Sequence, residues 1–178
     1  MYADNSLTPK EAARLCALGT LADGVLPYDE LASSVRYFMD RVQGPTLDVM
    51  GSSIELLKYE GLVAAQSGEM ELETLEITDE GRVELKTLLT AHMRAGATDL
   101  NKLIIALKFR FMHLLDLPDQ QIQAGILIDT TETELARFID LRESYLSESG
   151  HIVPWIDHEI ELLQSRIDWL SSFKSDLS

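Results

Sequence analysis

A mainly α (α+β) fold is predicted for this 178-residue chain by three observations. Apolar residues recur at three-and-four spacing over most of the length, which is helical periodicity. The only runs with strand character lie between Leu62 and Ile77. The last third holds long stretches with a heptad-like apolar seam. From Pro45 to Arg82 the elements run helix, glycine stop, strand, polar hairpin, strand, capped helix. That order is the second half of a winged helix-turn-helix. The predicted architecture is an N-terminal winged helix-turn-helix with a two-stranded wing, residues 1–95, then an α-helical dimerisation domain of long antiparallel helices, residues 96–178.

Each element follows from local chemistry. Thr8-Pro9-Lys10-Glu11 opens the first helix: Thr8 caps, Pro9 suits the first helical position, and Glu11 completes a capping box. The helix runs through Ala12, Leu15, Cys16 and Leu18 toward Leu21, and Ala22-Asp23-Gly24 stops it. Val25-Leu26-Pro27 reads as an extended link. The second helix starts near Tyr28 or Asp29 and buries Leu31, Val35, Phe38 and Met39. Gln43-Gly44-Pro45 is a turn, and Thr46 and Asp48 are caps. The third helix turns Met50, Ile54 and Leu57 inward and ends at Gly61. Leu62 to Ala65 and Leu72 to Ile77 read as strands, joined by Gln66-Ser67-Gly68-Glu69. Thr78 caps a fourth helix through Val83, Leu85, Leu88, Leu89 and Met93.

Ala95-Gly96-Ala97-Thr98 marks the expected domain boundary. Beyond it, Leu100, Leu103, Ile104, Leu107, Phe111, Leu114 and Leu115 form one apolar stripe, with Ile105, Phe109 and Met112 as a second. A helix apolar on two sides is buried on two sides, and one of them is expected to meet another subunit. Leu117-Pro118-Asp119 starts a long helix reaching about Glu148. Pro154 starts the last helix, with Ile156, Ile160, Leu163, Ile167, Leu170 and Leu177 on its seam. Two such helices form a hairpin that needs a partner, and a symmetric dimer is the simplest closed solution.

Composition narrows the function. The single Cys16 lies among apolar residues and reads as a buried free thiol. No basic-then-apolar leader opens the chain, and no apolar run approaches the ~20 residues needed to span a bilayer. A cytoplasmic protein is expected. His92, His113, His151 and His158 have neither the spacing nor the cysteine neighbours of a metal site. There is no glycine-rich phosphate loop and no nucleophile elbow, so neither catalysis, cofactor nor metal is expected. Net charge is −15, shared between the halves: residues 1–95 hold 8 basic and 16 acidic residues, and 96–178 hold 7 and 14. An acidic total weakens nonspecific contact with a polyanion but allows a local basic stripe.

Winged helices usually bind DNA, and the candidate contacts follow from that geometry. Ser52 and Ser53, near the start of the third helix, stand where recognition helices reach base edges; serines also occur there as plain helix-start residues. Arg36 and Arg41 on the second helix suit phosphate contacts, or a solvated surface. Lys58 suits either role. Leu103, Leu107, Phe111, Ile156, Ile160, Leu163, Ile167, Trp169 and Leu170 are the expected dimer contacts. Trp155 and Trp169 read as dimer core, or, with Phe109 and Phe111, as the lining of a cavity for a small apolar effector.

The chain resembles the PadR family of winged-helix transcriptional regulators, with its AphA-like branch, over nearly its whole length. Leu18-Gly19-Thr20-Leu21-Ala22-Asp23-Gly24 is similar to the family's leucine-rich first helix and glycine stop. Tyr28-Asp29-Glu30-Leu31 resembles its second-helix start, Leu57-Lys58-Tyr59-Glu60-Gly61-Leu62-Val63 its exit from the recognition helix, and Ile77-Thr78-Asp79-Glu80-Gly81-Arg82 its stretch after the wing. Glu159-Ile160-Glu161-Leu162 to Asp168-Trp169-Leu170 looks like its closing helix. The resemblance implies a homodimeric, sequence-specific regulator that binds a double-stranded operator, more often repressing than activating. Two features depart from it. The third helix carries Met50-Gly51, Glu55 and Leu56 where the family places Leu-Tyr and then basic residues, with Lys58 its only cation. The wing carries Glu69, Glu71, Glu73 and Glu76 and no Lys or Arg. The rival expectation is a winged-helix protein-interaction module that has lost DNA and docks on a basic partner.

Overall fold

The computed structural model describes residues 6–44, 50–67, 73–93, 99–147 and 149–177, with side chains omitted at 50–53 and 67. The elements are α1 (Pro9–Ala22), β1 (Leu26–Pro27), α2 (Tyr28–Gln43), α3 (Met50–Tyr59), β2 (Val63–Ser67), β3 (Glu73–Ile77), α4 (Asp79–Thr90), α5 (Asp99–Phe111), a 3-10 turn (Met112–Leu114), α6 (Leu117–Tyr145) and α7 (Ile152–Asp176). They form two compact units, Met1–Leu114 and Leu115–Ser178.

Helix α1 is the centre of the first unit. The Thr8 hydroxyl accepts from the Glu11 amide at 3.3 Å, and the Glu11 carboxylate accepts from the Thr8 amide at 2.6 Å, the reciprocal box expected there. Ala12, Ala13, Leu15, Cys16, Ala17, Leu18, Gly19 and Leu21 are all buried. This is more than one helical face, because α1 packs against α2, α3, α4 and α5 together. Helix α2 buries Leu31, Val35 and Met39, leaving Phe38 partly covered.

The sheet has three strands in the order β1-β3-β2, all antiparallel. Leu26 and Pro27, read from sequence as a link, pair with Leu75 and Thr74. Proline has no N–H to donate, and an edge strand is where that is tolerated. Gln66 and Ser67, expected in the turn, continue β2 opposite Thr74 and Glu73. The expected turn residues Gly68 and Glu69 lie outside the described residues, as do Glu71 and Leu72.

The root of the wing is pinned by three hydrogen bonds, one between backbone groups and two through the Thr78 hydroxyl. Gly61 ends α3 with φ 75°, a left-handed conformation that costs a residue with a Cβ. The Leu62 carbonyl then accepts from the Thr78 amide at 3.1 Å, while the Thr78 hydroxyl donates to the Gly61 carbonyl at 2.8 Å and accepts from the Gly81 amide at 3.0 Å. A Cβ on Gly81 would lie 2.1 Å from the Leu62 oxygen. Both glycines are thereby required by the exit from α3 and the start of α4.

Helix α5 belongs to the first unit, so the compact region extends past the boundary expected at 95–96. Leu103, Ile104, Leu107 and Phe111 are buried there. The Phe111 ring fills the space above Gly19, and the Arg110 guanidinium lies 4.6 Å from the Phe38 ring and 4.8 Å from that of Phe111. The Lys108 ammonium donates to the carbonyls of Leu89 and Ala91 at the end of α4. Leu103, Leu107 and Phe111, expected among the dimer contacts, are buried in the single chain.

The second unit is the antiparallel pair α6 and α7. Asp116 caps α6 by accepting from the Asp119 amide at 3.0 Å, with Pro118 in the first turn. Ile156, Leu163 and Leu170, seven residues apart, are the buried seam of α7; Ala124, Leu127 and Thr131 are buried on α6. Arg142 and Asp157 pair across the hairpin near its turn, and the Gln121 amide donates to the Leu177 carbonyl at 3.0 Å near its open end. Gly150, at φ 129°, lies in the connection.

Candidate nucleic-acid interface

Helix α3 has an inner and an outer face. Ile54 and Leu57 are buried against the rest of the unit, where α3 packs on α1 and α2. At 100° per residue the opposite face is centred on Glu55, Leu56 and Tyr59. Glu55 is exposed, Leu56 is 43% exposed and Tyr59 89%. An outward α3 beside a three-stranded sheet is the presentation a winged helix uses toward a DNA major groove.

A fork of charge holds the C-terminal end of α3. Both terminal nitrogens of Arg14 on α1 reach the Glu60 carboxylate, at 3.1 and 2.6 Å, and one also lies 3.4 Å from Glu84 on α4. This bidentate geometry fixes direction as well as distance. Neither Arg14 nor Glu60 stood out as a site residue in the sequence, since 46 positions separate them.

The expected contacts fare differently. Ser52 and Ser53 lie on the described backbone of α3, but their side chains are outside the described set. Arg36 and Arg41 are exposed on α2, and the Arg41 guanidinium stacks 5.2 Å from the Tyr37 ring centre. Lys58 is engaged: its ammonium is 2.8 Å from a carboxylate oxygen of Glu73 on β3. That hydrogen bond, with the nearby Glu55 charge, raises the Lys58 pKa. The described wing strands add Glu76, which accepts from the Gln66 amide.

The remaining site expectations sit in the second unit. Ile156, Leu163 and Leu170 are buried in the hairpin seam, Ile160 and Ile167 are partly covered, and Trp169 is exposed and stacked on Phe173 with ring centres 5.8 Å apart. Trp155 meets Phe138 edge to face at 5.9 Å. Among the described residues no cluster of His, Cys, Asp and Glu is arranged to hold a metal ion. No helix among them is long and apolar enough to cross a membrane.

Comparison with known proteins gives two findings. The profile of the AphA-like transcriptional regulators matches residues 2–174. Among solved structures, Bacillus subtilis PadR in complex with p-coumaric acid is similar at 17% identity and TM-score 0.40, over 97% of this chain and 98% of that one. The same protein in complex with operator DNA gives 17% and 0.38, over 93% and 98%. A PadR-like regulator from Bacillus cereus gives 16% and 0.39, over 93% and 97%. No curated protein matches the chain in sequence.

Proposed function

The chain belongs to the AphA-like family of transcriptional regulators, and we propose that it acts as a homodimer that binds a double-stranded operator in a sequence-specific manner. The observation that carries this reading is the outward face of α3, held by Ile54 and Leu57 from behind and by the Arg14–Glu60 fork at its end. In this proposal Ser52 and Ser53 meet base edges, Arg36 and Arg41 contact phosphates, and Lys58 is a reserve cation. Repression is the proposed output, because a dimer seated on its operator excludes other proteins without needing a further contact.

The dimer proposal is supported by the hairpin. Its seam uses one side of each helix, and Ile122, Ile139, Leu146, Trp155, Leu162 and Trp169 remain exposed. So many large apolar side chains on two helices favour cover by a second copy. Ile160, Ile167 and Trp169 are the expected contacts that this arrangement leaves available.

The test is titration of the purified protein against a duplex from upstream of its own gene, beside a scrambled duplex, at 50 and 200 mM salt taken as about the low and physiological range. The proposal expects tighter binding to the first duplex and a steep loss with salt. Equal weak binding to both, or none, would overturn it. The second reading, docking of a basic protein segment on α3, is favoured by one observation: the outer face offers Glu55, Leu56 and Tyr59 and no free cation of its own. Glu55→Lys separates the two, since it should strengthen duplex binding only if this face meets DNA.

A further inference from the structure

We propose that Glu73 is a built-in competitor for the DNA backbone, holding the ammonium of Lys58 so that a phosphate must displace a carboxylate before α3 contributes any positive charge. The inference rests on the operator-binding reading and deepens it, by naming what sets the affinity of the same site.

The geometry comes from the strand. Side chains alternate along β3, so Glu73 shares a face with Leu75 and Ile77, which are buried, while Thr74 and Glu76 point the other way. Glu73 is the last residue of that row, paired with Ser67 at the turn end of the β2–β3 ladder, and its side chain reaches the Lys58 end of α3. Its carboxylate oxygen is 2.8 Å from the Lys58 ammonium, with the side chains 51% and 25% exposed. Lys58 is the only cation on α3. The groups that act on it are Glu73 from β3, Glu55 from its own helix and the Tyr28 hydroxyl from α2. Two carboxylates beside one ammonium leave this corner net negative, where a phosphate needs it positive.

Exposed ion pairs are weak and exchange readily, so the contact tunes binding and does not forbid it. A duplex approaching α3 meets Glu73 first as repulsion and then as a rival acceptor for Lys58. Removing the charge while keeping the shape, by Glu73→Gln, relieves both effects. The part that belongs to the held lysine is the part that disappears when Lys58 is also changed.

The experiment is a double-mutant cycle on the full chain: wild type, Glu73→Gln, Lys58→Gln and the double variant, each titrated with the upstream duplex from 50 to 200 mM salt. Lys58 is also followed by side-chain NMR to read its pKa. One released phosphate contact steepens the slope of log affinity against log salt by about 0.9. The Glu73→Gln gain should therefore be about 3-fold larger at the low-salt end than at the high-salt end. Lys58→Gln alone should change affinity less than about 2-fold, as expected for a cation already engaged. In the double variant the salt-dependent part of the gain should vanish, and the Lys58 pKa should fall in Glu73→Gln.

An unchanged Lys58 pKa in Glu73→Gln would overturn the inference, whatever the duplex does. If the duplex binds and the gain is equal with and without Lys58, Glu73 merely repels DNA; the inference fails and operator binding stands. If neither wild type nor Glu73→Gln binds any duplex while the pKa falls, both the inference and the operator reading fail.

Discussion

Lys108 provides the prediction with the most quantitative content. Its side chain is 1% exposed, and its ammonium donates to the Leu89 and Ala91 carbonyls at 2.5 and 3.0 Å. Those oxygens close the C-terminal end of α4, where unpaired carbonyls and the helix dipole favour a cation. Burial opposes the charge and pushes the pKa down from its ordinary 10.5 to about 8. The unfolded chain therefore binds more protons than the folded one between those values. Stability then rises with pH through the window: the cost of the buried charge is full below pH 8 and gone above 10.5. At 1.36 kcal/mol per unit, this gap is worth about 3 kcal/mol.

Lys108→Met keeps the apolar stem, removes the titration and deletes two hydrogen bonds of roughly 1 kcal/mol each at every pH. The free-energy difference between wild type and variant should thus grow by about 3 kcal/mol in favour of wild type from pH 7 to pH 10.5. Contributions from other titrating groups cancel in that difference. Urea unfolding followed by circular dichroism at half-unit steps of pH measures it. Parallel stability profiles for the two proteins would refute the reasoning.

Three further predictions rest on separate contacts. Gly19→Ala places a Cβ 2.7 Å from the Phe111 ring, so it should lower stability by about 1–3 kcal/mol despite the better helix former. Phe111→Leu should absorb part of that loss, and melting temperatures of the four proteins will show whether it does. Cys16 is buried with its thiol pushed up to about 12, so the folded protein should ignore a thiol-reactive disulfide at pH 8 and react at once in urea. Prompt reaction of the native protein would contradict this placement. Its raised pKa stabilises the fold below about pH 9, a contribution lost as pH climbs toward 12. Leu162→Glu combined with Trp169→Glu should shift sedimentation from dimer to monomer while leaving helix content unchanged, because both side chains are exposed on the single hairpin; an unaltered dimer would exclude this face.

What could be read from the sequence is what short-range chemistry controls. The Thr8–Glu11 box, the Thr78 cap, the Gly61 stop, the Leu117-Pro118 helix start and the seven-residue seam of α7 all depend on residues within one or two turns of each other. Local sequence states such interactions directly. The same reasoning recovered the winged-helix order and the outward-facing third helix. It missed β1, because two residues without alternation become a strand only when β3 lies beside them. Two apolar sides on α5 reveal that the helix is buried but not by what, and the chain's own fold buries Leu103, Ile104, Leu107 and Phe111.

The functional surface divides along the same line. Sequence alone determined which residues stand on α3 and that the wing is acidic, because helical spacing and charge are properties of order. Only the tertiary structure decided which of those charges remain available. Glu73 reaches Lys58 across 15 positions, Glu60 receives Arg14 across 46, and Lys108 closes α4 from 19 residues away. Each pairing joins elements whose approach is set by the packing of α1 and its neighbours, and no local pattern encodes a distance between side chains that the chain brings together only on folding.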